Sequence, residues 1–231
     1  GTSYTVNPTG RGDNQTSGPS YRIISDASNW DNSVATIYAM VTYMMGMTPL
    51  EHEYKIMGMA PYYRGHIDKN PVYQGLLKIF EWDPESPMQW RRRTGIPRVG
   101  YLWRYLDELL KIERFDTIAA GVQAFVEYFL VEWVRRCIRE TGLSRLAVSG
   151  GTFMNVKANQ AILSLPEIDE LFVFPSCGDE TNSVGAAYWY YANQKLSANE
   201  RVDIDSVGSI YWGGEFHDND IESILDTYNF T

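Results

Sequence analysis

Leu146-Ala147-Val148-Ser149-Gly150-Gly151-Thr152-Phe153-Met154-Asn155 reads as a short buried strand, a paired-glycine turn and the start of a helix. That layout suits an anion or a nucleotide. Glycine lets the backbone approach a ligand with no Cβ in the way, and the first helical amides are unpaired donors at the positive end. A second turn of this kind follows at Phe174-Pro175-Ser176-Cys177-Gly178-Asp179, after the apolar run Leu171-Phe172-Val173-Phe174 and before the small-residue helix Ser183-Val184-Gly185-Ala186-Ala187. Alone, a double glycine after a strand is most often an ordinary tight turn. Two strand–turn–helix units in tandem predict adjacent parallel strands, at residues 145–149 and 170–174, with helices on the faces. Ligands gather at the carboxyl ends of such strands, so Gly150 and Asp179 are expected at one sheet edge.

The strongest helical signal lies just upstream, from Asp116 to Thr141. Ile118, Val122, Phe125, Phe129, Trp133 and Cys137 recur every three or four residues, with Ala119, Val126, Leu130, Val134 and Ile138 widening the stripe. At 1.5 Å per residue this helix spans roughly 35–40 Å, enough to cross a domain. Earlier in the chain, two strands joined by a loop around Gly10–Ser20 precede a helix from about Asn32 to Met45, capped by Asn32 or Ser33. A short helix or turn is expected within residues 48–62, a helical piece at Tyr73–Phe80 and a further helix at Tyr101–Ile112. Residues 66–100, rich in proline, tryptophan and charge, read as an excursion that covers a site or meets a partner. The helix after Asp179 runs to about Gln194, and Asp218–Tyr228 begins another.

At 231 residues the chain can bury a real core, and one domain, or one domain plus a tail, is expected. A formal net charge of −9 argues against a nucleic-acid surface, which needs clustered cations. Arg91-Arg92-Arg93 is the one basic run and reads as a solvated loop. Cys137 and Cys177 lie far apart without metal spacing, and Cys137 falls on the apolar helical stripe. With no run of 18 apolar residues and no signal peptide, the expectation is a reducing, cytoplasmic setting without a membrane span. The opening Gly1-Thr2-Ser3, without methionine, reads as a piece of a longer protein. Arg11-Gly12-Asp13 and the patterns at Asn14-Gln15-Thr16 and Asn229-Phe230-Thr231 read as chance. His52, flanked by Glu51 and Glu53, has no second histidine at the spacing a metal site wants.

Four pieces together resemble the O-carbamoyltransferases of the nodulation-protein and antibiotic-tailoring family. They are Glu53-Tyr54-Lys55-Ile56-Met57-Gly58-Met59-Ala60-Pro61-Tyr62, Ile118-Ala119-Ala120-Gly121-Val122-Gln123, Ser149–Asn155, and Pro175–Asp179 with Gly185-Ala186-Ala187. The resemblance covers roughly residues 20 to 220 and is weakest between 63 and 114. It implies an α/β lobe of the ribonuclease-H-like, actin-like ATPase superfold, with a mixed sheet and helices packed on it. Residues 1–208 would be the second, C-terminal lobe of the transferase domain, and residues 209–231 the link and start of the next domain. An upstream lobe and a downstream adenylate-forming domain would complete the protein, and a homodimer is compatible with it.

The implied reaction uses ATP and carbamoyl phosphate to make carbamoyl-adenylate, then passes the carbamoyl group to a hydroxyl acceptor. Gly150, Gly151 and Asn155 match the nucleotide-contacting turn, and Glu53 and Lys55 fall on the substrate side. Asp179 matches a metal-binding aspartate, with a plainer reading as a helix cap. The metal, typically iron, would also need a His-x-x-x-His pair. His52, His66 and His217 lack that spacing, so the resemblance places the pair upstream and the metal in the full-length enzyme only. Two departures bear on the substrate: Glu180-Thr181 stands where a glycine usually follows the aspartate, and Tyr63 stands in place of the signature glycine. A non-catalytic binding or interaction module, or a kinase or hydrolase of the same superfold, is the alternative.

Overall fold

A computed structural model describes the backbone of residues 2–7 and 20–26, and residues 32–203, 208 and 213–228 in full. The loop expected around Gly10–Ser20 lies outside these apart from Ser20. The three short patterns read as chance and residues 209–212 of the link also lie outside them.

The predicted long helix contributes more of the buried core than any other element. It runs from Phe115 to Thr141 (α5) and stops at Gly142, whose left-handed φ of 69° lets its N–H bond back to the Ile138 carbonyl. Val122, Phe125, Val126, Phe129, Leu130 and Val134 on this helix are buried in the core. By length and composition α5 is the one helix among the described residues that could cross a bilayer. Yet 67% of its most apolar window is buried inside the protein, as in a core helix.

Shorter elements pack around α5. Helix α1 (Val34–Met44) starts at Ser33, whose hydroxyl accepts from the Thr36 N–H at 3.2 Å. Helix α2 (Glu53–Met59) carries the Glu53–Lys55 segment. Helix α3 (Pro71–Leu76) is nucleated by buried Asn70, whose Oδ1 accepts from the Val72 and Tyr73 amides, both at 3.0 Å. Its Nδ2 donates to the Thr117 carbonyl of α5 at 2.9 Å. At Gly121 the two helices approach closely: a Cβ there would lie 2.6 Å from Val72 Cβ and 2.7 Å from Asn70 Oδ1. Helix α4 (Trp103–Leu110) lies within the expected Tyr101–Ile112.

Two expectations in the middle region need correcting. The helical piece is Pro71–Leu76 rather than Tyr73–Phe80, because Phe80 opens strand β3 (Phe80–Trp82), which pairs antiparallel with β4 (Trp90–Arg92). Tertiary packing decides this. Trp82 stacks on Phe129 at 4.9 Å, and Trp90 meets the same ring edge-on at 4.9 Å. The arginine run is therefore largely strand rather than solvated loop, with Arg91 Nε 2.9 Å from Glu81 Oε1.

At the amino end, β1 (Thr2–Asn7) and β2 (Ser20–Asp26) form the expected strand pair, antiparallel. Strands β5 (Arg145–Val148) and β6 (Glu170–Val173) are parallel and adjacent, in register from Arg145 opposite Glu170 to Val148 opposite Val173. Helix α6 (Val156–Leu163) connects them. Helix α7 (Thr181–Ser197) follows β6, and α8 (Asp218–Thr227) closes the described chain. The architecture is α/β, but among the described residues the strands form three two-stranded sheets, not one mixed sheet. Nor are β5 and β6 buried throughout. Leu146, Val148, Leu171 and Val173 pack against the core, while Ala147 and Phe172 face outward and are exposed. A period of two puts alternate residues on opposite faces, and only one face is covered.

Candidate functional site

Gly150 leaves β5 with φ 101° and ψ 152°, a conformation essentially confined to glycine. Its N–H donates to the Cys177 carbonyl at 2.7 Å, so one backbone bond ties the first turn to the second. Both turns follow the carboxyl ends of β5 and β6, as the tandem pattern predicts. A Cβ at Gly150 or Gly151 would meet nothing within 4 Å, so the space before the turn is open. Gly151–Met154 forms a 3-10 turn whose leading amides have no acceptor within it. Beside it lies an open cleft of about 370 Å³, lined by Ser149, Phe174, Thr181, Asn182, Gly185 and Tyr188 among others.

The second turn is held by its own side chains. Ser176 adopts a left-handed φ of 57°, and its hydroxyl donates to the Glu180 carboxylate. That bond, helped by backbone N–H donors, holds the Glu180 carboxyl below the usual carboxylate range. Glu180, not Asp179, stands at the N-cap position of α7. No side-chain hydrogen bond caps α7, so the cap reading of the exposed Asp179 does not hold.

Behind the first turn, a polar network joins three helices through the core. Asn155 begins α6, its Oδ1 accepting from the Ala158 N–H at 3.0 Å. Gln123 of α5, 4% exposed, forms a reciprocal amide pair with it: Gln123 Nε2 donates to Asn155 Oδ1, and Asn155 Nδ2 donates to Gln123 Oε1, both at 3.0 Å. Gln123 Nε2 also donates to Glu127 Oε1 at 2.7 Å, and Gln123 Oε1 accepts from the Tyr38 hydroxyl of α1 at 2.9 Å. Burial, with Glu53 and Glu127 nearby, pushes the Tyr38 phenol well above its ordinary value, so it stays a donor.

The structure thus divides the expected site residues. Gly150, Gly151 and Asn155 share one turn, and Glu53 bears electrostatically on Tyr38 at the far end of the network. Glu53 Oε1 also accepts from the N–H of Leu50, a bulky residue held at φ 67°. Lys55 is half-buried, with its ammonium 5.8 Å from the Tyr54 ring. His52 Nδ1 accepts from the Thr48 N–H at 3.1 Å, in keeping with a structural histidine. Among the described residues no three His, Cys, Asp or Glu side chains gather as a metal site. Asp179 would be this chain's single ligand to the implied iron, whose histidine pair is expected outside these residues. Sequence reasoning missed Tyr38, Glu127, Thr181 and Asn182, and gave Gln123 no role. Gln123 carried a signal nonetheless: an amide on the apolar stripe of a core helix demands buried partners.

Comparison with known proteins bears on this geometry. Residues 15–188 match the family model described as carbamoyltransferase N-terminus. The chain is 26% identical to the uncharacterised protein MJ1058 of Methanocaldococcus jannaschii, over 84% of this chain and 30% of that protein. It is 27% identical to nodulation protein NolO of Bradyrhizobium diazoefficiens, over 79% of this chain and 32% of that protein. It is 28% identical to nodulation protein NolNO of Sinorhizobium fredii, over 70% of this chain and 23% of that protein. The chain thus spans about a third or less of the length of these relatives. The model matched describes the N-terminus of the transferase as a whole, and this replaces the narrower placing in a C-terminal lobe.

Proposed function

Because the chain belongs to the carbamoyltransferase family through that N-terminal domain, we propose that it is part of an ATP-dependent O-carbamoyltransferase. The enzyme passes a carbamoyl group from carbamoyl-adenylate to a hydroxyl of a small-molecule or sugar acceptor. The acceptor oxygen bonds to the carbamoyl carbon, the bond from that carbon to the phosphate oxygen breaks, AMP leaves, and the hydroxyl proton passes to solvent. The observation that carries this reading is the Gly150–Cys177 hydrogen bond, which holds two glycine turns side by side at one strand edge, next to an open cleft.

In this reading Gly150 and Gly151 let the phosphate approach the backbone, and the leading amides of the 3-10 turn donate to it. Asn155 adds a side-chain donor. Glu53 and Lys55 serve the substrate side, and no step is assigned to a metal. Carbamoyl phosphate supplies the group that is activated on ATP elsewhere in the longer protein. The test supplies that protein with ATP, carbamoyl phosphate and a panel of hydroxylated acceptors, and follows AMP and product mass. A carbamoylated acceptor formed together with AMP is expected. ADP or free phosphate without carbamoylated product would point to a kinase or hydrolase, and nucleotide binding without turnover to a binding module.

A further inference from the structure

Gln123 uses every hydrogen-bonding position it has. Its two N–H groups go to Glu127 and Asn155, and its oxygen accepts from Tyr38 and Asn155. The orientation of the amide is therefore fixed from outside. Glu127 can only accept, which places Nε2 on its side, and the Tyr38 hydroxyl then faces Oε1. Asn155 is fixed in the same way. The Ala158 N–H requires an oxygen, so Oδ1 turns to the helix and Nδ2 turns to Gln123. One Nδ2 hydrogen of Asn155 is left with no acceptor among the described residues, on a half-buried side chain at the end of the Gly-Gly turn.

We propose that Gln123 is a positioning residue: held by Tyr38 and Glu127, it sets the amide of Asn155 so that its remaining N–H is presented to the ligand of the Gly150–Gly151 turn. The proposal rests on the nucleotide reading of that turn. It assigns to the buried α5–α1 contact a role in ligand affinity that packing alone would not give it. With only the Ala158 bond to anchor it, the Asn155 side chain could still tilt its remaining N–H away from the turn. The reciprocal pair removes that alternative before the ligand arrives.

The test is a double-mutant cycle in the full-length protein, with ATP as the calorimetric probe and the second ATP site, where carbamoyl phosphate is activated, fitted as a separate binding event. Gln123→Met keeps the volume and removes all four bonds. Asn155→Ser keeps a capping oxygen for α6 and removes the amide. Each single change is expected to weaken ATP binding about three- to tenfold, the range of one neutral hydrogen bond. The double variant should be no weaker than Asn155→Ser alone. Asn70→Ala, which removes a buried amide elsewhere on α5's flank, is expected to lower the melting temperature without changing ATP affinity. If Gln123→Met fails to fold, Tyr38→Phe removes one of the four restraints and should show the same non-additivity at smaller size.

Additive losses, or unchanged ATP affinity in Gln123→Met while Asn155→Ser weakens it, would overturn the positioning role and leave the nucleotide reading of Asn155 standing. Unchanged affinity in Asn155→Ser would overturn both. An equal loss in Asn70→Ala would reduce the effect of Gln123 to general destabilisation and overturn the proposal.

Discussion

Gly121→Ala tests the close approach of α3 to α5. Alanine is better than glycine in a helix interior by about 1 kcal/mol, so propensity alone predicts a more stable protein. The structure reverses the sign. The new methyl would sit 2.6 Å from Val72 Cβ, which moves only with its backbone, and 2.7 Å from Asn70 Oδ1, which two amides hold in place. Overpacking of this kind costs about 1–3 kcal/mol. Displacing Asn70 Oδ1 from the Val72 and Tyr73 amides forfeits a helix cap worth about 1 kcal/mol. Set against the propensity gain, the net is a destabilisation of about 1–3 kcal/mol, a fall of roughly 5 °C in Tm for a chain of this size. Gly58→Ala is the matched control: it lies within α2, a Cβ there meets nothing within 4 Å, and its Tm should hold or rise. Thermal melts by circular dichroism on both variants decide the matter. A Gly121→Ala protein melting at or above the unchanged protein would refute the close approach and, with it, the account of why α3 sits where it does.

Three further outcomes can be measured. Gly150→Ala places a side chain at φ 101° and should cost about 1–3 kcal/mol by denaturant titration, whereas Gly151→Ala should leave stability near that of the parent; equal costs would show that the first turn is not strained. Asp179→Ala should shift stability by no more than about 0.5 kcal/mol, because the exposed carboxylate does not cap α7; lost carbamoyl transfer with an unchanged melt would assign Asp179 to function, and near-normal turnover would remove it from the site. Burial pushes the Cys137 thiol up to about 11, so its alkylation rate should keep rising with pH beyond 9; a plateau at 9 would show an ordinary exposed thiol.

Much of the fold is legible in the sequence because local periodicity and packing agree there. The stripe from Ile118 to Ile138 has one burial solution, and α5 takes it. The parallel pair β5–β6 follows from the order of two short apolar runs with a helix between them, and the shared edge follows from that order. Phe80–Trp82 was not legible as strand, since what draws it from the helix is Phe129, far along the chain. The covered face of the small sheet was overestimated for a related reason: apolar runs announce strands, but not how many layers lie over them. The candidate site was legible as backbone and not as side chains. Glycines announce a turn, whereas the Gln123–Asn155 pair joins positions 32 residues apart and appears only once α5 and α6 are packed. The metal expectation attached to Asp179 rests on resemblance, since the other ligands it calls for do not gather among the described residues.

The single bond from the Gly150 N–H to the Cys177 carbonyl gives the cleft a built-in spectroscopic reporter. It is made wholly of peptide groups, so apart from proline at position 150 no substitution removes either partner. The Gly150 amide is shielded only while both turns are docked, in a stretch where the residues before and after it are partly or fully open to water. Its hydrogen–deuterium exchange rate therefore measures how often the two turns part. A ligand that binds across both should slow that one amide before it slows any other in the segment.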